Sequence, residues 1–171
     1  MAATDPDRLL EIEARLAALE RAAGRAPAPP PSGPAADDAL WALSGLKQRI
    51  PDPGGVLYTG RVVTPAGPVE WQYGALVDDL LDRDWSLAAT PLAALGNPVR
   101  LSILHLVIGG VTTVADLVAA GELGSSGQVY HHVNQLVSAG WLVPGGRGHF
   151  GIPPERVVPL LAILTAAGGA R

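Results

Sequence analysis

The sharpest alternation of apolar and polar positions lies in residues 124–142, GSSGQVYHHVNQLVSAGWL. Its apolar residues recur at the spacing of one helix face: Val129, Val133, Leu136 and Val137. Ser125 suits the N-cap of this helix, and Gly140 suits its end, just before a short strand from Trp141. The opposite face carries hydroxyl, amide and imidazole groups. This pattern favours the reading helix of a helix-turn-helix, and the other interpretation is an ordinary surface helix of an α-rich domain.

The segments on either side of the reading helix carry patterns of their own. Upstream, LAALGNPVRLSILHLVIGG predicts a helix that opens at Pro98 and ends at Gly110. TTVADLVAAG then predicts a short second helix. Downstream, WLVPGGRGHFGI predicts two strands joined by a glycine-rich turn, with Arg147 near its tip.

In this order, the segments resemble the ArsR-type winged-helix transcription regulators. The resemblance rests on LAALGNPVRLSIL, on GSSGQVYHHVNQLVSAGWL and on the strand-turn-strand that follows, so it covers the second half of the chain. It implies a winged helix-turn-helix domain over residues 87–171 that binds double-stranded DNA. The residues expected to contact DNA are Ser125, Ser126, Gln128, Tyr130, His131 and Gln135 on the reading helix, with Arg100 and Arg147 outside it. Gly127 departs from the family pattern, because the family has a polar residue there.

A metal site is not expected. Metal-sensing members of the resembled family use cysteine before the reading helix, or Asp and His sets on the terminal helix. This chain has no cysteine, and its terminal segment PERVVPLLAILTAAGG has neither His nor Asp. His131 and His132 are adjacent, so they lie on different helix faces and cannot chelate one metal together. We therefore expect no metal and no cofactor, and any sensing uses another ligand or does not occur.

The terminal segment predicts a helix that is apolar nearly all round: Val157, Val158, Leu160, Leu161, Ile163 and Leu164. Such a helix must be buried on more than one side. The resemblance implies that it packs at a dimer interface, which makes Leu160, Leu161 and Leu164 the expected dimerisation residues.

Residues 1–24 predict an N-terminal amphipathic helix. Leu9, Ile12, Leu16 and Leu19 alternate spacings of three and four, as in a coiled coil. The flanking Arg and Glu positions favour a parallel pair and hence a homodimer, and the alternative is a helix laid on its own domain. Residues 25–35, RAPAPPPSGPA, predict an extended linker.

Residues 36–86 predict an α-β-β-α module for dimerisation or effector binding. Its strands are VLYTGRVV and VEWQY, joined by the turn-rich TPAGP. Its large aromatic residues are Trp41, Tyr58, Trp71, Tyr73 and Trp85. They are either the walls of a small-molecule effector pocket or the core of the module, and the burial of aromatic residues in small cores favours the core.

Composition and charge narrow the functional classes. The 171 residues are 48% apolar and include no cysteine, which is typical of a globular protein without disulfides. The charged N-terminus and the short apolar segments favour a cytoplasmic protein with no membrane partner. The net charge is −4, and no Lys or Arg lies between Arg100 and Arg147. Attraction to phosphate must therefore come chiefly from Arg100, Arg147 and Arg156.

These patterns together predict a mainly helical α+β protein, with a winged helix-turn-helix domain after the module and the coiled-coil helix. We expect a homodimeric, DNA-binding transcription regulator. The alternative is a winged-helix interaction or ligand-binding protein with little DNA affinity, which the absence of basic residues on the reading helix supports. No nucleophile, base and orienting group converge in the sequence, so an enzyme is not expected.

Overall fold

The computed structural model describes residues 40–121 and 123–168 together with Arg15. This part of the chain is mainly helical with two small antiparallel sheets, which places it in the α+β class. Its elements are α1 (Trp41–Arg49), β1 (Gly55–Thr64), β2 (Gly67–Leu76), α2 (Val77–Leu81), α3 (Ala89–Leu95), α4 (Pro98–Ile108), α5 (Val114–Ala120), α6 (Ser126–Ser138), β3 (Val143–Gly145), β4 (His149–Gly151) and α7 (Pro154–Gly168). Within the described ranges no single helix is long and apolar enough to cross a bilayer. Only the bent pair Trp85–Leu95 and Pro98–Ile108, at 79°, passes that test by length and composition.

The chain divides into two compact units, Met1–Gln48 and Arg49–Arg171. In the first unit, Arg15 is helical and exposed, and the helix α1 buries none of its residues. The predicted coiled-coil helix over residues 1–24 lies, apart from Arg15, outside the described residues. The same holds for its seam, Leu9, Ile12, Leu16 and Leu19, and for the linker over residues 25–35.

The core of the second unit is built by α3 to α7 and by Trp141 and Leu142, which lie between α6 and β3. Asn97 begins α4, because its side chain accepts a hydrogen bond from the Arg100 backbone N–H at 3.1 Å. Trp141 is 2% exposed, and its indole N–H donates to the Pro91 carbonyl at 2.8 Å. This bond joins the end of α6 to the first half of α3.

The strands β1 and β2 form an antiparallel hairpin in which Tyr58 lies opposite Tyr73 and Gly60 opposite Trp71. Gly60 packs on α7, since a Cβ there would come 2.8 Å from a methyl group of Val158. A two-stranded hairpin buries too little apolar surface alone, and α7 supplies part of its cover. The hairpin therefore belongs to the same compact unit as α7, and the boundary expected at residue 86 does not coincide with the division of the chain.

The order helix, strand, strand, helix is observed over residues 41–81, with a difference at its end. The last helix of the predicted α-β-β-α module falls in ALVDDLLDRD, residues 75–84. The first two residues of this segment extend β2, because Ala75 and Leu76 pair with Val56 and Gly55 of β1. Only Val77–Leu81 forms the helix α2.

Candidate nucleic-acid interface

The helix α6 occupies most of the segment predicted as the reading helix. Its inner face consists of Val129, Val133 and Leu136, which are fully buried. Its outer face is exposed and mostly polar: Ser126, Gly127, Gln128, Tyr130, His131, Asn134, Gln135 and Ser138. The apolar spacing therefore decides which face of α6 is available to a partner.

The first turn of α6 is closed by a capping box between Ser125 and Gln128. The Gln128 backbone N–H donates to Ser125 Oγ at 3.4 Å, and the Ser125 backbone N–H donates to Gln128 Oε1 at 2.8 Å. Ser125 Oγ also donates to Gln128 Oε1, at 3.2 Å. Gly124, at φ +94°, leaves room for this amide, since a Cβ there would collide with Gln128 Oε1. The side-chain amide oxygen of Gln128 therefore caps α6, although Gln128 was expected to contact a DNA base.

Arg100 and Gln135, both expected to contact DNA, are bonded to each other. Arg100 Nη1 donates to Gln135 Oε1 at 2.7 Å. Arg100 Nε and Nη2 donate to the carbonyls of Ala94 and Ala93, at 2.5 and 2.8 Å. The half-buried guanidinium therefore ties the last turn of α3 to the outer face of α6, and it also places a positive charge at the carboxyl end of α3.

An open groove of about 490 Å³ lies beside the hydrogen bond between Arg100 and Gln135. It is lined by Thr90, Ala93, Ala94, Arg100, His131, Asn134, Gln135, Ser138 and Ala139. Asn134 was not among the residues expected to contact DNA. Its position three residues after His131, on the same helix face, is the signal that identifies it. His131 is exposed, whereas His132 is half-buried, and the two rings are 5.7 Å apart.

The ribbon formed by β3 and β4 carries Arg147 at its turn. Arg147 is exposed, has φ 62° and ψ 34°, and makes no hydrogen bond or ion pair with the other described residues. The base of the ribbon is anchored to the segment before α5. The Phe150 backbone N–H donates to the Thr112 carbonyl, and Thr112 Oγ1 and His149 Nδ1 are hydrogen-bonded, both at 2.7 Å.

Arg156, the third arginine expected to contact phosphate, has an aromatic partner within the protein. Its guanidinium carbon lies 5.3 Å from the centroid of the Trp141 ring, the geometry of a cation–π contact. Of the three arginines expected to face phosphate, Arg100 and Arg156 therefore have partners within the protein, and Arg147 has none among the residues that the structure describes.

The interpretation of the aromatic residues as a module core is wrong. Trp41, Trp71, Trp85 and Tyr73 are 59%, 37%, 68% and 44% exposed, so they do not form a core. Tyr58 and Tyr73 pack on each other with centroids 5.8 Å apart.

The alternative interpretation was that these aromatic residues line an effector pocket, and one of them lines a cavity. Trp71 lines a cavity of about 350 Å³ between the hairpin and the start of α7, together with Val69, Ile152 and Val157. Tyr73 has a different neighbour, because its hydroxyl accepts a hydrogen bond from Arg83 at 3.3 Å. That hydrogen bond, which is the largest cause, raises the pKa of Arg83.

The expected dimerisation residues of α7 differ in exposure. Leu160 is 2% exposed and packs in the core of its own chain, so it is not available at the surface. Leu161 is half-buried and Leu164 is 40% exposed. Of these three residues, Leu161 and Leu164 are therefore the ones available for a contact through α7.

Among the described residues, no three His, Asp or Glu side chains are grouped closely enough to hold a metal ion.

The comparisons with known proteins identify no family for this chain. No protein-family model, curated protein or solved structure matches the chain.

Proposed function

We propose that this chain is a homodimeric transcription regulator that binds double-stranded DNA through a winged helix-turn-helix. The observation that carries the proposal is the helix α6, fully buried along one face and polar along the other, preceded by the short helix α5. The ribbon after α6, with Arg147 at its turn, corresponds to the wing. Thr113, just before α5, forms a β-bridge with His149 of β4, and this bridge holds the base of the wing against the rest of the domain.

In this function α6 enters the major groove and Arg147 contacts a phosphate or the minor groove. The homodimer would use the exposed part of α7 around Leu164, together with the N-terminal residues 1–24. Sedimentation should then give a dimer at micromolar concentration, and Leu164→Glu should weaken it. A small-molecule effector, if one acts, has the cavity beside Trp71 as its candidate site.

A second candidate function is an interaction or ligand-binding protein with little DNA affinity. Two observations favour it: the net charge of −4, and the internal partners of Arg100 and Arg156. Both reduce the positive charge that α6 and its surroundings present to a phosphate backbone.

The experiment that separates the two functions is fluorescence anisotropy of the full chain with labelled duplexes at low and moderate salt. The duplexes are a random-sequence pool and fragments of the protein's own promoter region. Arg147→Ala should lower affinity for every duplex, whereas the matched variant Arg61→Ala, which removes an exposed hairpin arginine paired with Glu70, should not. No binding of the wild type at low salt would support the interaction protein.

A further inference from the structure

The three side-chain amides of α6 differ in whether their oxygen already accepts a hydrogen bond. The oxygens of Gln128 and Gln135 accept hydrogen bonds from Ser125 and from Arg100. Asn134 is exposed, and its side-chain amide makes no hydrogen bond with any other described residue. Asn134 is therefore the amide on this helix whose donor and acceptor are both available to a partner.

The position of Asn134 on the helix suits contact with a deep groove. Asn134 lies seven residues after Gly127 and three after His131, so the three form one stripe on the outer face. Nothing lies within 4 Å of the position that a Cβ of Gly127 would occupy. Because Gly127 has no side chain, another surface can approach the backbone closely at this end of the stripe.

We propose that Asn134 reads an adenine in the major groove, an assignment that rests on the proposed function. Adenine presents an acceptor, N7, and a donor, the N6 amino group, and an asparagine amide pairs with both at once. Gln128 and Gln135 each have an occupied oxygen and cannot form this bidentate pair while their bonds persist. Tyr130 and His131, beside Asn134 on the exposed surface, add single contacts.

The experiment selects duplexes from a random-sequence pool with the full-length wild type and with Asn134→Ala. The matched control is Ser102→Ala, which removes an exposed hydroxyl from α4, outside the proposed interface. Thermal unfolding of each variant checks that the fold is kept. The wild-type motif should contain one adenine per half-site whose preference disappears with Asn134→Ala and persists with Ser102→Ala.

The affinities of the wild type and of Asn134→Ala for the selected duplex test the assignment further. Asn134→Ala should lose about 5- to 150-fold there and little on random duplex, the range for one bidentate base contact. Replacing the adenine by 7-deazaadenine, which lacks the N7 acceptor, should weaken the wild type and leave Asn134→Ala unchanged.

The outcomes separate the two claims. If the wild type selects a motif and Asn134→Ala selects the same motif, the assignment of Asn134 is overturned and the proposed function stands. If the wild type retains no duplex even at low salt, the proposed function fails and the assignment fails with it.

Discussion

Arg100 Nη1 lies 2.7 Å from Gln135 Oε1, and through this bond two side chains expected to face DNA instead hold α6 against the end of α3. The bond is charge-assisted, and its donor is half-buried. The same guanidinium also donates to the carbonyls of Ala93 and Ala94 at the carboxyl end of α3, and the Ala93 carbonyl accepts from the Gly96 backbone N–H as well.

Arg100→Ala should lower the free energy of unfolding by about 1.5–3 kcal/mol, because it removes the charged donor of the Ala94 carbonyl and of the Gln135 oxygen and leaves the Ala93 carbonyl with only the Gly96 N–H. Urea unfolding measures this loss. Gln135→Ala should cost less, and the double variant should cost less than the two single losses added. Strict additivity would show that Arg100 and Gln135 act independently.

Gln128→Ala should lower the free energy of unfolding by about 0.5–1 kcal/mol, because the capping box at the start of α6 is opened. Ser125→Ala should have a similar effect through the same box. Amide hydrogen exchange of the first turn of α6 should quicken in both variants. An unchanged stability, combined with lost DNA selectivity, would instead assign Gln128 to base reading.

Gly60→Ala should destabilise the protein by about 1–3 kcal/mol, since the new methyl group overlaps Val158 where the hairpin packs on α7. Adding Val158→Ala should recover part of this loss by removing the overlapping methyl groups. Gly151→Ala is the matched control, because its Cβ position has no atom within 4 Å. Equal effects of Gly60→Ala and Gly151→Ala in urea unfolding would contradict the packing described here.

Arg147→Ala should reduce DNA affinity to a similar extent on all sequences and make its dependence on salt shallower. Each neutralised phosphate contributes about 0.9 to the slope of log affinity against log salt, so losing one arginine from each protomer should change that slope by about 2. Anisotropy titrations at several salt concentrations give the slope. A change confined to one selected sequence would assign Arg147 to base reading.

Asp84 should titrate below the usual range of an aspartate. The hydrogen bond of its carboxylate with the Ser86 side chain, followed by that with the Ser86 backbone N–H at 2.9 Å, lowers the pKa of Asp84. Because the folded pKa is the lower one, the stabilisation is present above the ordinary pKa of about 3.9 and is lost as the pH falls through the folded value. Carboxyl NMR titration of the wild type and of Ser86→Ala checks this, and the pKa of Asp84 should rise in the variant. An unchanged pKa would show that the side-chain bond is not the cause.

The sequence by itself determined the local features of this protein. The spacing of Val129, Val133 and Leu136 identified the buried face of α6, and the cap at Ser125 identified its start. These properties depend on groups within a few residues of one another, so they are visible in the chain without its fold. The α+β class followed from the same local patterns.

Only the tertiary structure decided which polar side chains are available to a partner. The bond from Arg100 to Gln135 joins residues on two different helices, and the contact of Arg156 with Trp141 likewise depends on how α7 packs. The partial exposure of Trp71 was also decided at this level, because it depends on how closely α7 packs against the hairpin. A periodic pattern shows which side of an element is polar, but hydrogen bonds between elements determine whether those polar groups are already paired.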